Sequence, residues 1–201
     1  DLAHYFPYLT GGMLAWVLLS TIVVEFTDGF VVSENLIKQV KLPYTLYIHR
    51  IACRNMIIFM HNIAVIIPIL LIYHETAPVN WYTLLLIPGL FLIYLNAISY
   101  GLLLAMIGAR FRDISQIVRS LIQVVFFVTP VMWRPEALME KNRYIVELNP
   151  FYSFIELIRA PILGTAPSLY NLGFVIIVTL IGMAAAWMIF ARRRARIVYW
   201  L

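Results

Sequence analysis

Charge is what this chain has least of. Only 12% of its 201 residues are Asp, Glu, Lys or Arg, while 63% are hydrophobic and the mean hydropathy is +0.87. Soluble domains carry about 25% charged residues, so the composition excludes a soluble globular domain and requires an integral membrane protein. Cysteine is almost missing as well. The single thiol, Cys53, excludes an internal disulfide and a cysteine metal site. No G-x-x-x-x-G-K-[ST] stretch is present, so the chain has no P-loop for a nucleotide, and neither H-E-x-x-H nor G-x-S-x-G occurs. His4, His49, His61 and His74 are scattered over different depths. The carboxylates paired within a span are Glu25 and Asp28, three positions apart and so on one helix face. An intramembrane enzyme would need those two clustered with His61. The chain has no initial methionine and no signal-peptide pattern, so it reads as the later part of a longer protein.

The net charge of +5 does not point to nucleic acid, because the charges sit between apolar runs, as topology signals do. Five such runs, at about 9–32, 55–73, 82–107, 114–133 and 172–191, predict an all-α polytopic helical bundle that forms a single transmembrane domain. The basic residues follow alternate spans. Lys38, Lys41, Arg50 and Arg54 come after the first, Arg110, Arg112 and Arg119 after the third, and Arg192, Arg193, Arg194 and Arg196 after the fifth. The positive-inside rule makes that face cytoplasmic and puts the C-terminus there. Residues 134–164 hold two short helical patterns broken at Asn149 and Pro150. At ~1.5 Å per residue neither reaches across ~30 Å of hydrocarbon, so an outer re-entrant hairpin is expected.

Two stretches carry candidate function. Residues 33–43 predict a short amphipathic helix. Ser33 suits its N-cap, and Glu34 pairs with Lys38 at i,i+4. Lys41 lies on the same face, Leu36, Ile37 and Val40 form the apolar side, and Pro43 ends the helix. It suits either the lipid surface or a cytoplasmic partner. Residues 108–133, GARFRDISQIVRSLIQVVFFVTPVMW, open with the charged turn Arg110, Arg112 and Asp113 and enter an apolar run. Arg112, Gln116, Arg119 and Gln123 form a polar stripe that spans roughly 60° of a helix at ~100° per residue, and Phe126, Phe127 and Pro130 continue that face. Unsatisfied polar groups in hydrocarbon cost several kcal/mol each, so the stripe should face protein or a water-filled path. Aromatic rings and amides suit carbohydrate. Tyr94, Tyr100, Phe126, Phe127 and Trp133, with Arg119 and Gln123, are candidates to line a channel, or else pack against lipid and core.

Three segments resemble one family. NLIKQVKLPYTLYIHR, residues 35–50, is similar to the cytoplasmic coupling-helix region of ABC-2 type permeases that export bacterial polysaccharides. GARFRDISQIVRSLIQVVFFVTPVMW resembles that family's loop and fifth span, and LNPFYSFIELIRAPILG its extracellular segment before the last span. The resemblance implies six spans in the full protein, of which this chain matches the second to the sixth. It implies a homodimer around a central channel in the bacterial inner membrane. Two separate ATPase subunits would hold ATP and Mg, with no cofactor on this chain. ATP hydrolysis would drive a lipid-linked polysaccharide such as O-antigen outward; a smaller drug or lipid amphiphile is the alternative cargo. Ser33, Glu34, Leu36, Ile37, Lys38, Val40 and Lys41, with Arg110, Arg112 and Asp113, would meet the ATPase, and residues 134–164 would shape the outer exit.

Overall fold

In the computed structural model, residues 2–135, 146 and 148–201 are described. Helix α1, Leu2–Thr27, is apolar all round and 26 residues long, about 39 Å at 1.5 Å per residue. It packs against four others among the described helices. A turn leads to α2, Glu34–Gln39, and then to α3, Tyr44–Ile72, which runs on through Pro68. A 3-10 turn, Trp81–Leu85, is capped by the Asn80 side chain and feeds α4, Leu86–Arg110. Helix α5, Ile114–Val128, follows, then α6, Pro150–Ile162, and α7, Leu169–Arg193. A 3-10 turn, Arg194–Arg196, and the short α8, Ile197–Trp200, complete the order. No strand occurs among the described residues.

Among the described residues, four stretches are long and apolar enough to cross a membrane: Leu2–Thr27, Tyr44–Ile72, Trp81–Arg110 and Leu169–Trp200. The protein is therefore a multi-pass membrane protein. Its outer surface agrees, because α3 and α7 expose Ile57, Val65, Leu71, Leu180 and Trp187, an apolar surface suited to lipid. The expected fourth run differs. Helix α5 has 15 residues, about 22 Å, and stops at Thr129, where the backbone turns extended at φ −86° and ψ 133° ahead of Pro130.

Close packing explains the fit of α1 to α4. A Cβ on Gly108 would collide with the Thr27 carbonyl, and one on Gly101 would sit 2.7 Å from the Phe26 ring. Helix α7 runs parallel to α4. Asn96 Nδ2 donates to Thr179 Oγ1 at 2.6 Å, the Tyr100 hydroxyl to the Val178 carbonyl at 3.0 Å, and the Arg110 guanidinium lies 5.8 Å from the Trp200 ring.

Helix α6 is the second expected short helix of residues 134–164, and most of the first lies outside the described residues. The Asn149 side chain caps α6 by accepting from Phe151 N at 3.0 Å, and its Nδ2 donates to Thr129 Oγ1 at 2.8 Å. Ile155, Leu157 and Ile158 are buried, as is Arg159. Arg159 pairs with Glu156, and its Nη1 donates to the Pro130 carbonyl at 2.9 Å. Gly164 takes φ 74°, a left-handed turn that glycine adopts freely, and accepts from Asn80 Nδ2 at 2.8 Å.

Candidate functional site

Carboxylates in and just beyond the last turn of α1 hold basic side chains from other elements at one end of the bundle. Glu25 accepts from Arg54 Nη2 at 2.7 Å and from Asn55 Nδ2 at 2.5 Å, both on α3. Asp28 Oδ2 accepts from Arg119 Nη2 at 2.7 Å and from Ser115 Oγ at 2.8 Å, both on α5. Glu34 Oε1 accepts from Lys38 at 2.7 Å, and its Oε2 from Arg112 at 3.2 Å. Those two cations, Lys38 first, hold the Glu34 carboxyl below its usual value of 4.5. Each carboxylate thus binds at least one cation, two of them from helices distant in sequence. His61 is exposed on α3, six residues beyond Asn55 and so about 9 Å farther along the helix. It does not join Glu25 and Asp28, and no cluster of His, Cys, Asp or Glu among the described residues could hold a metal ion.

Helix α2 is shorter than the expected 33–43. Val40 is already extended at φ −128° and ψ 128°, three residues before the Pro43 expected to end the helix, and Lys41 lies beyond it. Ser33 stands at the N-cap position without capping; its Oγ accepts from Arg50 Nη2 at 3.2 Å instead. Ile37 alone of the apolar side is buried. Leu36 and Val40 are exposed beside Lys38 and Lys41, an apolar and basic surface. Arg110 lies over the Phe111 and Trp200 rings, and Asp113 sits exposed at the start of α5.

Helix α5 has no buried residue and presents three sectors. Ser115, Val118, Ile122, Val125 and Phe126 are half-buried at i,i+3 and i,i+4 spacing, with Phe126 5.3 Å from the Trp16 ring of α1. Gln116, Arg119, Ser120, Gln123 and Phe127 form an exposed polar sector about 100° wide, and Ile117, Leu121, Val124 and Val128 an exposed apolar one. Phe126 and Phe127, expected to share the stripe's face, are divided between the first two sectors. The segment runs antiparallel to α1, since Arg119 meets Asp28, Phe126 meets Trp16, and the Trp133 carbonyl accepts from the Tyr8 hydroxyl at 3.2 Å.

Tyr94 and Tyr100 are not brought to α5. The Tyr94 hydroxyl lies 2.7 Å from His49 Nδ1 and 3.5 Å from Cys53 Sγ, bracing α4 on α3, and Tyr100 braces α4 on α7.

A family model described as "ABC-2 type transporter" matches residues 2–163, most of the chain. This chain belongs to the ABC-2 type transporter family. It is 22% identical over 159 residues to an O-antigen export system permease protein RfbA of Klebsiella pneumoniae, covering 77% of this chain and 60% of that relative. A second Klebsiella pneumoniae protein of that name is 24% identical, covering 92% and 72%, and one from Myxococcus xanthus is 26% identical, covering 75% and 58%. The chain therefore spans about 60% of the length of the first of these relatives.

In this ABC-2 chain no local pattern marks Arg54, Asn55 and Ser115 as partners of Glu25 and Asp28. Arg159, a charge in the mostly apolar α6, is buried to 1% exposure with its guanidinium 4.0 Å from the centre of the Tyr8 ring. The signal was there for Arg159. A buried arginine needs a partner, and Glu156 stands three positions before it on the same helix face.

Proposed function

We propose that the chain is the membrane subunit of an ATP-driven exporter that moves a lipid-linked polysaccharide of the O-antigen kind across the bacterial inner membrane. The observation that carries this reading is the three-sector surface of α5. A helix with nothing buried, one exposed apolar sector and one exposed polar sector suits lipid on one side and a wet, protein-enclosed path on the other. A second copy of the chain facing that polar sector would enclose such a path. Gln116, Arg119 and Gln123 offer donors and acceptors to sugar hydroxyls, and Phe127 offers a ring to a sugar C–H face. The names of the relatives favour polysaccharide cargo.

In this reading residues 114–133 make a fifth crossing. Their run along α1 from Asp28 to Tyr8 covers 20 positions, about 30 Å. The basic end of the bundle faces the cytoplasm and the C-terminus lies there. The exposed Leu36, Lys38, Val40 and Lys41 around α2, next to Arg112 and Asp113, seat on an ATPase subunit made as a separate chain. ATP and Mg bind that partner, and the working assembly has two copies of each.

One feature supports the smaller-amphiphile reading. An apolar cavity of about 710 Å³ opens among α1, α4, α6 and α7, lined by Phe26, Tyr100, Phe151 and Phe154. The test is co-expression of the full-length permease with the ATPase encoded beside it, followed by purification, ATP turnover in lipid and assay of surface polysaccharide. A two-plus-two complex whose loss abolishes surface polysaccharide supports the proposal. Polysaccharide that reaches the surface without it, with ATP turnover stimulated instead by a small amphiphile, supports the second reading.

A further inference from the structure

We infer that Arg119 and Arg112 are positioning residues that clamp α5 to Asp28 and Glu34, so that α5 moves with α2 as one body. The inference rests on the exporter reading. It concerns how a displacement of α2 reaches the polar sector of α5, and nothing in the family match or the relatives' names bears on it.

Nothing in α5 is buried, so core burial does not fix its rotation about its own axis. Its half-buried sector packs on α1, with Phe126 5.3 Å from the Trp16 ring, and this apolar contact adds no hydrogen bond to set the rotation. Two polar contacts a distance apart do determine it. Arg119 and Ser115 hold Asp28, and Arg112, just ahead of α5, holds Glu34. Arg112 and Arg119 are seven positions apart, about two helical turns. Their acceptors, six positions apart, lie at the end of α1 and in the first turn of α2. The clamp therefore joins the inner half of α5 to the elbow that carries α2.

The far end of the segment is held differently. Arg159, buried between α1 and α6, donates to the Pro130 carbonyl just past α5. The outer end is thus pinned to the core while the inner end is pinned to the elbow. A push on α2 then swings the inner half of α5 about its outer end. Gln116, Arg119 and Gln123 move with it, and Arg119 belongs to both the clamp and the polar sector. Exposed pairs of this kind are weak as stability elements, which suits a part that must direct motion and not hold the fold.

The test uses the full-length permease in complex with its ATPase. The variants are Asp28→Arg, Arg119→Asp and the charge-swapped double variant. Spin labels at Gln39 and Leu121 report the distance between α2 and α5 with and without trapped ATP. In the unmodified complex that distance is expected to stay the same in both states. Each single variant is expected to keep ATPase binding and ATP turnover, to lose export tenfold or more, and to show a nucleotide-dependent, broadened distance. The double variant is expected to restore the single distance and at least part of the export. Normal export by both single variants, or a distance that changes with ATP in the unmodified complex, would overturn the clamp. So would failure of the swap to restore the distance. If the unmodified permease forms no ATPase complex at all, the exporter reading falls first and the transmission falls with it.

Discussion

The guanidinium of Arg159 lies 4.0 Å from the centre of the Tyr8 ring, so an arginine on α6 is stacked against the first turns of α1. The same group pairs with Glu156 and donates to the Pro130 carbonyl. Removing one partner of a buried charge pair costs about 3–5 kcal/mol because the other is left uncompensated. Arg159→Ala is therefore expected to lower the thermal midpoint in detergent sharply. Arg159→Lys should fall between it and the unmodified chain, since an ammonium keeps the charge and loses the planar fork. A melting curve for Arg159→Ala that matches the unmodified one would show that the contacts of Arg159 do not stabilise the fold.

Gly108 and Gly173 make a matched pair of tests on helix packing. A Cβ at Gly108 would collide with the Thr27 carbonyl, while one at Gly173 meets nothing within 4 Å. Gly108→Val should separate α4 from α1 and reduce the yield of monodisperse protein. Gly173→Ala should leave yield unchanged or gain up to about 1 kcal/mol, the helix-propensity difference between the two residues. Size-exclusion profiles of the two variants decide it.

Phe126 and Phe127 are adjacent and should respond differently. Phe126 packs on Trp16 at 5.3 Å, whereas Phe127 is 77% exposed. Phe126→Ala is expected to cost about 0.5–1.5 kcal/mol of stability through loss of its ring contact with Trp16. Phe127→Ala should leave the melting temperature unmoved and lower export if the polar sector lines the path. Thermal unfolding and a surface-polysaccharide assay on both variants separate the roles, and wild-type export by Phe127→Ala would count against a lining role.

Lys38→Glu combined with Lys41→Glu reverses the basic surface beside α2, where both side chains are exposed. The expected result is weaker recovery of the ATPase in a pull-down with the permease still folded. Undiminished recovery would move the docking surface elsewhere.

Glu34 carries a pH dependence with a definite sign. Lys38 and then Arg112 lower its carboxyl below 4.5 in the folded chain. A lowered folded value stabilises above the unfolded value, and that contribution is lost as pH falls through the folded value. The contact to Arg112 should therefore hold at neutral pH and weaken as pH falls below 4.5. A spin-label distance from α2 to α5, measured down a pH series, should broaden there. Glu34→Gln, which does not titrate, should broaden it at every pH.

The reach of the sequence is visible residue by residue. Contacts governed by helix repeat were legible, because i,i+4 neighbours meet wherever a helix forms, as Glu34 and Lys38 do at 2.7 Å. The shared face of Gln116, Arg119 and Gln123 was legible for the same reason, whereas Arg112, expected on it, stands ahead of α5 and pairs with Glu34. Where α2 ends was missed, since Pro43 restricts only Leu42 before it, while the helix already stops at Val40 and leaves Lys41 outside. Tyr94 and Tyr100 were candidate lining residues on type and depth, and their hydroxyls turned out to brace α4 against α3 and α7.

By itself the sequence determined that this is a helical membrane protein and which face of α5 is polar. These follow from composition and from periodicities of one helix. Only the tertiary structure decided that Asp28 takes its cation from Arg119, 91 positions away, and Glu25 from Arg54. It also decided that Arg159 is buried against Tyr8. A charge in a membrane protein must find a partner, but which partner it finds depends on which helices lie side by side, and no local periodicity encodes that.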